Sequence, residues 1–163
     1  MKKVILIGLL FAMVVSLTAC DLKDAAPDEL HEMLDDVVGW VGSGQRSTDD
    51  ELIGKREAGE DSFSGAYQAK PEKVTGRDVV FGGSSILTRT VKVEGTIHTE
   101  EGSAAIRVRM NDEVINLTPD STGKVETQLH FISGGNYVMV DYKEFTGTVE
   151  MTCTVLEDAQ ILE

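Results

Sequence analysis

The stretch that decides the fold is IRVRMNDEVINL, at residues 106–117. Apolar and polar residues alternate on both sides of Asn111 and Asp112, which is the period of a strand with one face in a core. A two-residue turn at this dipeptide would put the apolar side chains of both arms on one face, so the stretch predicts an antiparallel hairpin. The expected pairs are Met110 with Glu113, Val108 with Ile115, and Ile106 with Leu117.

The same alternation continues through most of the chain after residue 78, and turn sequences rich in Gly, Pro, Asn and Asp separate the runs. About seven short strands without helical interruptions predict a mainly β fold, an antiparallel and jelly-roll-like β-sandwich over residues 67–163. A small closed barrel has the same periodicity and is the alternative. Gly95 lies inside one run and is interpreted as a β-bulge. The predicted strands are 79–81, 91–97, 106–110, 113–117, 125–131, 137–142 and 149–155.

The N-terminus has the organisation of an export signal. Lys2 and Lys3 precede an uncharged, mostly apolar run at residues 4–19, shorter than the ~20 residues of a membrane-spanning helix. The run ends in Leu17-Thr18-Ala19-Cys20, which resembles the lipobox of bacterial lipoproteins. The resemblance implies a signal peptide at residues 1–19 and a diacylglyceryl group on Cys20 that anchors the protein in the lipid bilayer.

Asp21 follows the lipobox cysteine. In lipoproteins of Gram-negative enteric bacteria, an Asp at this position resembles the signal for retention in the inner membrane, and Gram-positive bacteria have no outer membrane. Either host implies localisation on the outer face of the cytoplasmic membrane. With Cys20 acylated, Cys153 has no intramolecular disulfide partner, and its place in an alternating strand predicts a buried, small hydrophobic side chain.

Three segments separate the lipobox from the predicted β domain. Residues 20–27 are interpreted as a tether, and residues 42–66 as an acidic linker because they contain few apolar residues. Between them, residues 28–41 have the apolar spacing of an amphipathic helix with an acidic polar face and Trp40 beside its apolar face. Packing on the protein itself or on a partner is the expected use of this helix, because anionic lipid would repel its carboxylates.

Charge excludes one class of partner. The 163 residues include 28 acidic and 15 basic side chains, for a formal net charge of −13. Loss of Lys2 and Lys3 with the signal would take the charge to −15. A nucleic-acid partner is excluded, because binding to phosphate backbones needs clustered Lys and Arg.

Few residues are candidates for a functional site. His98 and His130 lie on the polar sides of two predicted strands and could converge with Glu126 if the strands were neighbours. Stacking on a sugar needs exposed aromatic rings, and Tyr137 is a candidate. Tyr137 and Tyr142 have opposite strand parity, so at most one of them faces outward, which weakens the case for sugar binding. The sequence contains no nucleotide, zinc or regular calcium motif, so no catalytic residue, metal ligand or cofactor is predicted. The weak ligand-binding candidates are Tyr137, His98, His130, Asn111 and Asp112.

The last strands carry a further resemblance. Residues 131–138 and 145–149 look like the closing strands of many secreted β-sandwich modules, including carbohydrate-binding ones. Together the features predict a membrane-anchored surface lipoprotein whose non-catalytic module binds an envelope protein or glycan. One alternative is a small envelope hydrolase or metal-dependent enzyme that uses His98 and His130. The other is a structural assembly protein of the cell envelope.

Overall fold

The computed structural model describes the backbone of residues 45–160 and the side chains of residues 45–156. The predicted signal peptide, Cys20, the tether and the amphipathic helix lie outside the described residues. Within residues 45–160 there are strands and turns but no helix, so no helix that could cross a membrane is found there. The strands are β1 (Lys55–Ala58), β2 (Gly65–Ala69), β3 (Val74–Ser85), β4 (Thr88–Met110), β5 (Glu113–Leu117), β6 (Lys124–Phe131) and β7 (Gly134–Gln160).

Two long strands, β4 and β7, form the frame of the domain. They pair antiparallel along nearly their whole lengths, and the register shifts between Thr99 and Glu101 and again between Glu101 and Ser103. Irregularities of this kind bend strands. On β7, Gly147 has a φ of 151°, and a Cβ there would lie 2.1 Å from the carbonyl oxygen of His98, so this point of close approach requires glycine.

The bend divides the strands into two layers. Layer A contains β1, β2, β6, the first half of β4 and the second half of β7; layer B contains β3, β5 and the other two halves. A Cβ built on Gly95 in layer A would lie 2.6 Å from Cδ1 of Ile106 in layer B. Eleven residues of straight strand would separate these residues by about 36 Å. The layers therefore face each other, and the prediction of an antiparallel β-sandwich is confirmed.

The core fills the space between the layers. Its members come from alternate positions of the strands, which is the period expected when one face of each strand is buried. The fully buried apolar side chains of this core include Val80, Phe81, Val91, Val93, Ile106, Val108, Phe131, Val138, Val140, Phe145 and Val149.

The predicted hairpin is confirmed in every pair. Met110 lies opposite Glu113, Val108 opposite Ile115, and Ile106 opposite Leu117. Its turn places Asn111 at a φ of 52°, a left-handed conformation that Asn tolerates better than most residues.

Two details of the strand prediction were wrong. Residues 91–97 and 106–110 belong to one strand, as do residues 137–142 and 149–155, because the intervening glycine-containing segments bend the chain without reversing it. Gly95 is not a bulge, since it pairs in register with both Val125 and Met151. Because Gly95 has no side chain, it leaves room for the side chain of Ile106 in the opposite layer.

The interpretation of residues 42–66 as a linker is also corrected for the described part, residues 45–66. This segment contains β1 and the beginning of β2, and Phe63 is 4% exposed in the core. Few apolar residues suffice there because hydrogen bonds hold the segment. Arg56, for example, donates to the carbonyl oxygen of Val80 on β3 at 2.8 Å and, within the segment, to that of Ser47 at 3.2 Å.

Cys153 lies in the core with 2% of its surface exposed, as expected. Burial raises the pKa of its thiol above the ordinary value, because the thiolate would lose its hydration. The thiol is therefore protonated and packs as a small apolar group.

Candidate functional site

The two candidate histidines do not come together. Their strands, β4 and β6, are neighbours, but His130 lies opposite Thr90 while His98 lies opposite Thr148 on β7. Thr90 and His98 are eight residues apart on β4, a separation of about 26 Å along a strand. Both imidazoles are exposed at opposite ends of the outer face of layer A.

Glu126, the third member of the postulated cluster, lies opposite Glu94, and its carboxylate accepts hydrogen bonds or ion pairs from Lys124 at 2.7 Å and Lys92 at 3.1 Å. The hydrogen bond from Lys124, followed by that from Lys92, lowers the pKa of Glu126 below its ordinary value. The carboxylate is thus part of an exposed ionic ladder rather than a partner of either histidine.

Asn111 has a structural role at the end of layer B. Its Oδ1 accepts a hydrogen bond from the amide of Gly135 at 2.9 Å, and its Nδ2 donates to the carbonyl oxygen of Ser133 at 3.2 Å. These contacts tie the β4–β5 turn to the turn before β7. Asp112 is exposed beside it.

Tyr137 requires a correction as a candidate for stacking on a ligand. Its parity directs it to the outer face of layer B, yet it is only 1% exposed. The guanidinium of Arg109 lies over its ring at 4.6 Å from the ring centroid, a cation–π arrangement. Strand parity gives the direction of this side chain but does not show whether the face it points to is covered.

The outer face of layer B instead carries the feature that the sequence analysis did not identify. Arg77, Arg107 and Arg109 lie there, and the charge of Arg46 interacts with Tyr137 on the same face. We call these four of the six arginines of the chain the arginine face. Arg107 and Arg109 occupy the outward positions of β4. Arg77 of β3 lies opposite Asp141 of β7 on the same side of the layer.

Asp141 is the carboxylate of the arginine face. It accepts hydrogen bonds from Nε and Nη2 of Arg77, at 2.5 and 2.9 Å, and from Nη1 of Arg107 at 2.6 Å. The hydrogen bonds from Arg77, with those from Arg107, lower the pKa of Asp141 below its ordinary value against the opposing effect of burial. One carboxylate thus orients two guanidinium groups.

Gln45 and Ser47, which precede β1, contact strands of layer B. The side chain of Gln45 accepts a hydrogen bond from Arg109, and Ser47 exchanges two 3.1 Å hydrogen bonds with the backbone of Val79 on β3. Arg46 lies between these two contacts in the chain. Burial, followed by the neighbouring charge of Arg56, lowers the pKa of the Arg46 guanidinium, because both disfavour its charged form.

The arginine face has unused hydrogen-bonding capacity. Among the described residues, the Nε atoms of Arg46, Arg107 and Arg109 are buried and have no hydrogen-bond partner. Guanidinium groups present planar pairs of donors that match carboxylate and phosphate oxygens. An open groove of about 600 Å³ beside this set is lined by Arg77, Asp141, Lys143 and the two alanines of β4, Ala104 and Ala105, whereas the other three arginines do not line it. The arrangement suits recognition of an anionic group.

The described residues contain no set of three His, Cys, Asp or Glu side chains placed to hold a metal ion. The arginine face is the candidate site that we consider further. In the sequence, only the Arg-Val-Arg alternation at residues 107–109 indicates that one side of a strand is basic. Arg46 and Arg77 lie 61 and 30 positions before Arg107, so only folding brings them to the same face.

Comparison with known proteins found no matching family model and no matching curated protein. Among solved structures, the pre-peptidase C-terminal domain of a collagenase from Bacillus anthracis matches with 12% identity and a TM-score of 0.44, over 60% of this chain and 99% of that one. A carbohydrate-binding module of lichenase 5A from Cellvibrio mixtus, solved with cellotriose, matches with 8% identity and a TM-score of 0.33, over 69% of this chain and 93% of that one. Similarity at this level transfers no ligand or activity.

Proposed function

We propose that this protein is a lipid-anchored envelope protein whose β-sandwich is a non-catalytic binding module for glycans or other envelope components that carry carboxylate or phosphate groups. The observation that carries the proposal is the arginine face: four of six arginines gather on one layer of a chain with a net charge of −13. The lipobox resemblance supports the anchor.

The arginine face supports binding by local contacts rather than by long-range attraction. Charges separated by more than about 8–10 Å are largely screened at physiological ionic strength. A ligand at the face would therefore experience the nearby guanidinium groups more than the distant acidic residues. Asp141 holds Arg77 and Arg107 in place, which reduces the side-chain entropy lost on binding.

The non-catalytic part of the proposal is supported by the positions of the histidines. The enzyme alternative needed His98 and His130 in one site, and the register of β4 with its neighbours separates them. The assembly alternative rested on the predicted helix at residues 28–41, which lies outside the described residues, and it stays a prediction.

Binding can be tested with charged and neutral probes. We expect the protein to bind alginate oligosaccharides, which carry carboxylates, or a phosphorylated oligosaccharide, and not a dextran oligosaccharide of the same length. The variant carrying Arg107→Gln and Arg109→Gln should lose affinity about tenfold, since each removed guanidinium takes away a charge-assisted hydrogen bond. Isothermal titration calorimetry measures both effects.

The matched control for this experiment is the pair Lys92→Gln and Lys124→Gln, which removes the same charge from the outer face of layer A. We expect this variant to bind as the wild type does. If both variants lost affinity equally, net charge and not the arginine face would account for binding. Absence of binding to every anionic probe would refute the proposed function.

The anchor is tested separately. We expect the wild-type protein to sediment with bacterial membranes and its N-terminal peptide to carry the mass of a diacylglyceryl group at Cys20. The Cys20→Ser variant should move to the soluble fraction, because two acyl chains supply most of the membrane affinity. The Cys153→Ser variant is the control and should stay with the membrane. Membrane association of Cys20→Ser equal to that of the wild type would contradict the anchor.

A further inference from the structure

Strand β6 is one edge of layer A. It pairs with β4 on one side, and no strand of the described residues pairs with it on the other. Its eight residues, KVETQLHF, pair with β4 without a register shift, and none of them is a proline. A regular edge of this kind presents a row of backbone groups to which a further strand can bind.

The backbone groups on the free side of β6 can be identified from its first residue. The amide of Lys124 donates to the carboxylate of Asp120 at 3.0 Å, and the carbonyl oxygen of Lys124 accepts from the amide of Asp120 at 2.8 Å. Both groups of Lys124 therefore point away from β4. Because residues of an antiparallel strand alternate in this respect, the groups of Glu126, Gln128 and His130 point the same way. Within residues 45–156, the three amides and three carbonyl oxygens of these residues have no hydrogen-bond partner.

A second copy of β6 can satisfy all of these groups. If two copies lie antiparallel with Gln128 opposite Gln128 of the second copy, Glu126 of each copy lies opposite His130 of the other. In an antiparallel pair of strands, opposite residues whose backbone groups face each other exchange two hydrogen bonds. Three such pairs give six hydrogen bonds, which use every amide and carbonyl oxygen that these residues present on the two free sides.

The side chains agree with this register. Glu126 and His130 are exposed on the outer face of layer A, and an imidazole has at least one N–H group that can donate to a carboxylate. The two-fold arrangement makes this contact twice. On the inner face, Thr127 would lie opposite Leu129 of the second copy, and Leu129 is only partly buried in a single copy. Association would therefore cover apolar surface as well as pair the backbones.

Other registers are less favourable. A shift of the second copy by two residues leaves two pairs instead of three and separates Glu126 from His130 of the second copy. Pairing cannot extend past Glu126, because Asp120 already occupies the free side of Lys124. Since β6 ends at Phe131, the residues from Glu126 to His130 are the whole of the available edge.

We propose that two copies of this protein associate through their β6 edges, around a two-fold axis at Gln128. The five strands of layer A in each copy then form one continuous sheet of ten. The contact uses the same surface of both copies, so it closes with two of them. The interface is in layer A and uses no residue of the arginine face, so this inference does not rest on the proposed function.

Association is tested by sedimentation velocity of the full-length protein in non-ionic detergent over a range of concentrations. Because the interface is small, we expect a dissociation constant on the order of ten micromolar. Gln128→Lys places like charges opposite each other at the axis and should raise this constant about fivefold. Gln68→Lys is the matched control, since Gln68 is also exposed on layer A but lies on β2, between β1 and β7. This control should leave the dissociation constant unchanged.

Cysteine cross-linking tests the register and keeps the test open if Gln128→Lys does not fold. Opposite residues of a hydrogen-bonded pair have Cα atoms about 5.5 Å apart, within reach of a disulfide. On mild oxidation, Gln128→Cys should form a disulfide-linked dimer. Glu126→Cys alone should form no more of it than the wild type, which has Cys20 and Cys153.

A mixture of the Glu126→Cys and His130→Cys proteins completes the register test and should form the linked dimer, because these two residues lie opposite each other across the axis. Cross-linking of Glu126→Cys alone to the same extent as Gln128→Cys would overturn the proposed register. A wild-type protein that sediments as a monomer at every concentration, or an equal effect of Gln128→Lys and Gln68→Lys, would overturn the interface itself.

Discussion

Replacement of Asp78 by alanine is expected to destabilise the β domain by about 4 kcal/mol, because it leaves one buried and two half-buried hydrogen-bond donors without an acceptor, and a fully buried donor alone costs about 1–3 kcal/mol. Asp78 is 0% exposed on β3. It accepts hydrogen bonds from the amides of Ile53 at 3.0 Å and Gly54 at 3.1 Å and from the hydroxyl of Tyr67. Its loss would therefore detach the segment before β1 as well as weaken the core.

The network continues through the centre of the sandwich. Because the hydroxyl hydrogen of Tyr67 is donated to Asp78, the hydroxyl of Tyr142 donates to Tyr67 at 2.7 Å. Burial, aided at Tyr67 by the hydrogen bond to Asp78, raises the pKa of both phenols above the ordinary value. Both tyrosines are thus neutral donors at any physiological pH. The network joins layer A to layer B through polar contacts inside an apolar core.

Urea unfolding followed by circular dichroism measures this effect. Tyr142→Phe removes one hydrogen bond at the end of the network and should cost about 1 kcal/mol, so it remains measurable if Asp78→Ala does not fold. The control is Asp141→Ala, which removes a partly exposed carboxylate from the outer face and should cost less than Asp78→Ala. If Asp78→Ala lowered the free energy of unfolding by less than Asp141→Ala does, the role assigned to Asp78 would be contradicted.

Replacement of Gly95 by valine is expected to cost about 3 kcal/mol through overpacking between the layers. A Cβ at this position would lie 2.6 Å from Cδ1 of Ile106 and 3.0 Å from the carbonyl oxygen of Glu150. The first contact involves the end of a side chain, whereas the second involves backbone that cannot move easily. Chemical unfolding of the variant gives the cost directly.

A double-mutant cycle with Ile106→Val makes the Gly95 prediction specific, since this change removes the Cδ1 methyl that the new side chain meets. Gly95→Ala and Ile106→Val should together cost less than the sum of their separate effects, with a coupling of about 1 kcal/mol. Thr96→Ala, next in the chain and exposed on the outer face, should change stability by less than about 0.5 kcal/mol. Strict additivity would contradict the contact between the layers.

The hairpin at residues 106–117 shows what local pattern can predict. A turn of two residues and a period of two leave one register that puts every apolar side chain on one face, and the structure has that register. Cys153 was placed on the apolar side of its strand for the same reason. These features depend only on residues within one strand or one turn.

The segments around Gly95, Gly147 and Arg56 show where local pattern fails. A glycine can mark a turn, a bulge, a bend or a close contact, and only the partner that approaches it distinguishes these cases. Gly95 meets Ile106 and Gly147 meets the backbone of His98, both across the fold. Arg56 lies in a segment with linker-like composition, and its order comes from the carbonyl of Val80, 24 positions later.

Composition and periodicity thus determined the all-β class, the antiparallel hairpin and the apolar side of the predicted strands, because these properties arise from residues close together in the chain. The bend of β4 and β7, the buried network at Asp78 and the arginine face were decided by tertiary structure. Each depends on pairing between residues tens of positions apart, and that pairing is set when both layers bury their apolar sides against each other.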